Sequence, residues 1–140
     1  MINLIKLSVG SETVEAMTAW QARRVAQGPD GLPRHVTRMW PKRASEILAG
    51  GSMYWVVKGV IQARQPILRL DEVEGADGIM RCGIVLAPGP IAVVPTPKRP
   101  FQGWRYLKPE DAPADRDANA EADTPLPAEI SLALAEIGVL

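Results

Sequence analysis

The chain of 140 residues carries 16 Lys and Arg against 16 Asp and Glu, with one His and one Cys, and 46% of it is hydrophobic. That is one domain's worth of chain with a tail, able to bury roughly two-thirds of its unfolded surface without disulfides or metals. A lone Cys82 excludes an internal disulfide, and one His with one Cys on separate strand candidates argues against a structural metal. The longest apolar runs, such as Ile84 to Ala87, are far below bilayer length, and MINLIKLSVG lacks a basic leader and a cleavage site, so the expected location is cytoplasmic, with no membrane partner.

The residues from Ile2 to Leu7 form a mostly apolar run that predicts a buried first strand, broken by Gly10. Ser11 is the expected N-cap of a helix in which Val14, Met17, Gln21 and Val25 recur at helical spacing beside Trp20, with Arg23 and Arg24 before Gly28. After the loop PDGLP, RHVTRM reads as a strand. Pro41 opens a short helix over Lys42 to Ala49, with Ile47 and Leu48 inward and Gly50-Gly51 as its stop. Ser52 to Lys58 is a strand rich in β-branched and aromatic residues.

Gly59 separates it from a strand over Val60 to Leu70, where Pro66 implies an edge or a bulge. Asp77-Gly78 signals a turn before Ile79 to Leu86, whose Met80, Cys82, Ile84 and Leu86 share a face. PGPIAVVPTPKRP reads as extended surface chain with a brief pairing at Ile91 to Val94, and Gly103 to Leu107 as the last strand. The expected organisation is one globular domain over 1–108, a flexible acidic Pro/Ala-rich linker over 109–127 and an amphipathic C-terminal helix over 128–140, with Ile130, Leu134 and Ile137 on its apolar face. The fold class is α+β: a mostly antiparallel sheet, two packed helices and that terminal helix.

No GxSxG elbow, P-loop or dinucleotide-binding glycine pattern occurs, and no cofactor is implied. Cys82 reads as a buried, inert thiol. His35, between Arg34 and Arg38, reads as a structural histidine, with a proton shuttle or phosphate contact as the other readings. Gly50-Gly51-Ser52 is either a helix stop or an anion-binding nest.

Charge is uneven. Arg34 to Arg69 holds seven bases against Glu46 alone, whereas Glu110 to Glu129 holds seven acids against Arg116. Of seven aromatics, three fall in RPFQGWRYLKPEDAP, where Phe101, Trp104 and Tyr106 interleave with Arg99, Arg105 and Lys108. Trp104 and Tyr106 share a strand face. The expectation is core packing for Trp104, with Tyr106 left open between core and a base-stacking surface.

Three blocks, RHVTRMWPKRASEILAGGSMYWVVKG, QARQPIL and RPFQGWRYLKPEDAP, resemble an alphaproteobacterial family of small proteins, domain-of-unknown-function family 1489. The likeness runs from the first strand to Pro113, leaves the tail outside, and brings no activity with it. More distantly, a basic strand, RASEILAGG and a strand pair are similar to the opening of PUA-like and ASCH-type domains, small β-barrels that bind RNA or modified nucleosides. That likeness implies a PUA-like barrel. The Gly-x-Lys-x-x-Glu-x-Arg pattern of many ASCH domains is missing after Gly51.

Together these readings predict a non-enzymatic module binding nucleic acid, with RNA or a nucleotide as partner. Arg38, Lys42, Arg43, Lys58, Arg64 and Arg105 contact phosphate, while Trp40, Tyr54 or Tyr106 stacks on bases. The alternatives are a hydrolase acting on a modified nucleoside or small amide, using Lys42 or Lys58 with Glu46 or His35, and an adaptor that docks a protein partner through the C-terminal helix.

Overall fold

The computed structural model describes residues 1–8, 13–23 and 26–116. Among these residues, seven strands and two α-helices are ordered β1 (Asn3–Leu7), α1 (Val14–Gln21), β2 (Arg34–Thr37), α2 (Ala44–Leu48), β3 (Ser52–Val57), β4 (Val60–Glu74), β5 (Met80–Leu86), β6 (Ile91–Pro97) and β7 (Trp104–Leu107). They make one mixed, open sheet in the order β2-β5-β4-β3-β1-β7, with β6 paired to β4. Its pairings are antiparallel except β1 with β3, which run parallel because α1, β2 and α2 lie between them in the chain.

β4 organises the sheet. Its first half pairs with β3 and β6, and its second half pairs with β5. Pro66 sits between the β6 ladder, which ends at Arg64, and the β5 ladder, which begins at Ile67, so its missing N–H leaves no ladder bond unmade. Pro66 is thus neither on a sheet edge nor in a bulge; the irregularity follows it, between Ile67 and Arg69. The β3–β4 connection is a two-residue turn in which Lys58 and Gly59 both adopt positive φ, the geometry that lets a tight hairpin follow strand twist.

Alternation splits the apolar residues between two faces, because β3 is buried on both. One core gathers Ile2, Leu4, Met17, Ile47, Met53, Trp55, Cys82, Ile84, Leu86 and Trp104 under α1 and α2. The other gathers Ile5, Tyr54, Val56, Ile61, Val93 and Leu107, with Phe101 and Ala112 packed against it. Leu48, expected inward, is exposed, and so is Met80 at the start of the strand face it shares with Cys82. Cys82 is fully buried on the first core, and burial pushes its thiol up to about 11.

Local signals explain most boundaries. Thr13 caps α1, its side-chain oxygen accepting from Ala16 N at 3.0 Å, while Ser11, Arg24 and Val25 lie outside the described residues. α2 is shorter than the Lys42 to Ala49 reading. Gly51 N donates to Ile47 O at 2.7 Å, and a side chain on Gly51 would collide with the Ile2 and Ile47 carbonyls, so the Gly50-Gly51 pair is a helix stop at a crowded crossing.

Residues 109–116, expected to begin a linker, are bound to the sheet instead. Pro109–Asp111 forms a 3-10 turn, Val94 N donates to Ala114 O, and Arg116 N donates to Ala92 O. Asp115 clamps Arg64 through two bonds of 2.7 and 2.8 Å. The remaining linker and the C-terminal helix reading at 128–140 lie outside the described residues.

Candidate functional site

The open sheet is strongly curled. His35 on β2, an end strand, packs edge-on against Trp55 on β3, three positions away in the sheet, with ring centroids 5.7 Å apart at 87°. No ladder joins β2 to β7 among the described residues. Side chains hold the seam. Trp104 Nε1 donates to Met39 O at 3.2 Å, and the Tyr106 hydroxyl accepts from the backbone N–H groups of Lys42 and Arg43 at 3.0 and 3.2 Å. The loop 38–43 after β2 is thereby stitched onto β7. Trp104 is a core residue, 6% exposed, whereas Tyr106 is 36% exposed and makes an edge contact with Trp104 at 5.1 Å.

Beside this seam lies a cavity of about 150 Å³, lined by Lys6, Ser8, Trp20, Gln21, His35 and Trp55 among others. Alternation puts Lys6 on the inward face of β1 with Ile2 and Leu4. Its ladder partner on β7 is Trp104, the residue that holds Met39. The cavity's aromatic floor is polar but saturated. Trp55 Nε1 and Gln21 Nε2 both donate to Gln65 Oε1, and Gln65 Nε2 donates to Gln21 Oε1 and Ala87 O, which satisfies a fully buried amide.

Lys6 and His35 are among the cavity groups that are not saturated. Neither the Lys6 ammonium nor a ring nitrogen of His35 has a hydrogen-bond or ion-pair partner among the described residues. Burial lowers the Lys6 pKa, and burial together with the Lys6 charge lowers that of His35 to about 4, so the imidazole is neutral at physiological pH. Trp20, 46% exposed, stands at the cavity wall with the Arg23 guanidinium 5.4 Å from its ring centroid. The arrangement offers aromatic surface, the cations Lys6 and Arg34 and one neutral donor–acceptor in a partly desolvated space.

The residues nominated from sequence fall into two groups. Arg38, Trp40, Lys42, Arg43 and Tyr106 come together, exposed, on the seam loop and β7. Arg43 is also engaged with Glu46, and its guanidinium sits 5.5 Å over the Tyr106 ring.

The others lie elsewhere. Tyr54 is buried in the second core, and Arg64 is taken up by Asp115 and Ser52 Oγ. Lys58 occupies the β3–β4 turn, and Arg105 lies over Phe101 on the face opposite Tyr106. Of the groups the hydrolase reading would use, Glu46 is held by Arg43 and His35 faces Trp55. The sequence reading missed Lys6, Trp20 and Trp55 as site residues. Their one legible signal was Lys6 itself, a charge at an inward position of an apolar strand.

The family described as protein of unknown function (DUF1489) matches residues 4–140. The chain belongs to the DUF1489 family. The match passes Pro113, where the sequence likeness was expected to stop, and takes in the tail. No curated protein and no solved structure matches the chain. For this DUF1489 protein the site itself must therefore carry the functional argument. No group of His, Cys, Asp and Glu among the described residues is arranged to hold a metal ion, and no described helix is long and apolar enough to cross a membrane.

Proposed function

We propose that this protein is a cytoplasmic, PUA-like module that binds single-stranded nucleic acid, taking one unstacked base into the cavity and the adjoining phosphates on the loop 38–43. The observation that carries the reading is the unpartnered Lys6 and neutral His35 in an aromatic-lined cavity, next to exposed Arg38, Trp40 and Lys42. Single-strand binders combine a cationic track with aromatic surfaces on which bases stack, and the two features adjoin here across Trp104. The curl that brings β2 against β3 supports the barrel-like part of the reading, since small curled sheets bind ligands at their mouths.

The test is fluorescence anisotropy of the full chain with labelled single-stranded RNA and DNA at low and physiological salt. Affinity should fall steeply with salt, with about 0.7 counterion released per neutralised phosphate. The double variant Arg38→Ala/Lys42→Ala should weaken binding to all sequences alike, because phosphate contacts position a strand without reading it. Lys42 and Arg38 are the better pair to remove, since Arg43 also braces Tyr106 and Glu46. Absence of binding to any single strand at low salt refutes the proposal.

A further inference from the structure

Among the described residues, the cavity beside Lys6 and His35 contains few polar groups that remain available to a ligand. Trp55 Nε1, Gln21 and Gln65 are committed to one another. Lys6, His35 and Arg34 remain, with the Ser8 hydroxyl at the wall; strand alternation sets Arg34 on the face of β2 opposite His35, so Lys6 and His35 are the pair that faces Trp55. An ammonium donates only, whereas a neutral imidazole presents one N–H and one acceptor nitrogen. With the acceptor nitrogen of His35 turned to the ligand, satisfying both takes an acceptor oxygen for Lys6 next to an N–H for that nitrogen.

Among bases, uracil and thymine carry that edge on a single ring: an exocyclic oxygen beside an imide N–H. Guanine carries it on a double ring. Cytosine and adenine place an amino group, a second donor, where Lys6 needs an acceptor. The volume, about 150 Å³, is well below the roughly 300 Å³ at which pockets begin to take drug-sized molecules, and so favours one ring over two.

Building on the single-strand reading above, we infer that this cavity is a selective site for a uracil-type base, with Lys6 donating to its O4 oxygen and His35 accepting from its N3–H. Trp20 and Trp55 supply the aromatic walls. Partial burial raises the discrimination, because a wrong base sets a donor against a donor where water reaches only in part. Lys6 is then the specificity-determining residue, and Arg38 and Lys42 are indifferent to which base is bound.

The experiment titrates UMP, CMP and GMP into the full-length protein, read by calorimetry and by quenching of tryptophan fluorescence. UMP and CMP have the same shape and charge and differ at the edge that Lys6 and His35 read. UMP should bind at least about tenfold more tightly than CMP, the range of one well-made base contact. GMP should bind more weakly than UMP by a similar factor.

Lys6→Met, which keeps the length of the side chain without the donor, should bring UMP and CMP to within about twofold by weakening UMP. Equal affinity for UMP and CMP in the unaltered protein, or a preference for CMP, overturns the assignment. GMP binding as tightly as UMP overturns the single-ring limit. The unaltered-protein comparison decides even if the variant does not fold. Oligonucleotide binding with no base preference defeats this inference and leaves the single-strand reading standing. UMP selectivity without oligonucleotide binding defeats the single-strand reading and leaves the uracil site standing.

Discussion

Two aromatic–basic clusters flank the same strand, and they put their polar atoms to opposite uses. At the seam, the Trp104 indole and the Tyr106 hydroxyl bond to backbone atoms of Met39, Lys42 and Arg43, closing the curled sheet. In the cavity, Trp55 is anchored by Gln65, but Lys6 and His35 beside it have no partner among the described residues. The cluster that stands out in the sequence, Trp104 to Tyr106, is mainly architectural at its polar atoms. The cluster with capacity left for a ligand is scattered over β1, α1, β2 and β3. Aromatic density along a chain therefore marks where rings gather, and hydrogen-bond accounting decides which of them face a ligand.

The comparison breaks most readily at Trp104. Trp104→Ala removes a core indole and the bond that holds Met39, and should destabilise the protein by about 3–5 kcal/mol in urea unfolding. A loss below about 1 kcal/mol would mean that the seam is held by something else.

His35 tests the cavity side. The free side chain titrates at 6.5 and the folded one at about 4. The unfolded chain therefore takes up a proton that the folded chain refuses, and stability present above 6.5 is lost as pH falls through that window, by up to about 3 kcal/mol. Thermal melts should show that slope already between pH 6.5 and about 5, mostly above the range where the paired carboxylates protonate, and His35→Gln should flatten it. An unchanged slope would mean that His35 is not held neutral by burial.

Smaller effects sharpen the contrast. Tyr106→Phe leaves two backbone N–H groups to water at a partly exposed site and should cost about 1 kcal/mol, with the ring contacts kept. Arg64 and Asp115 form an ion pair near the surface, so a double-mutant cycle should return a coupling under about 1 kcal/mol. Arg64→Ala should leave oligonucleotide affinity unchanged, because that guanidinium is already bound; a marked loss of affinity would extend the site to the far side of the sheet.

Sequence order alone carried the element types, the chain break at Gly59, the burial of Cys82 and the packing of Trp104, because each depends on alternation or on glycine conformation within a few residues; that Lys58 leaves the strand to share the turn was seen only in the structure. It also carried the gathering of Arg38, Trp40, Lys42 and Arg43, which are near neighbours in the chain. The tertiary structure decided the rest. Pro66 is tolerated in a central strand because two ladders stop and start around it, which no local pattern records. Tyr54 and Arg64 left the site because β3 is covered on both faces and Asp115 returns 51 residues later to take the guanidinium. The cavity exists only because the sheet curls enough to bring β2 to β3, placing His35 against Trp55 and close enough to Lys6 to feel its charge. A site assembled from four elements by curvature leaves no periodicity in the chain; its single trace is a lysine where a buried strand calls for an apolar residue.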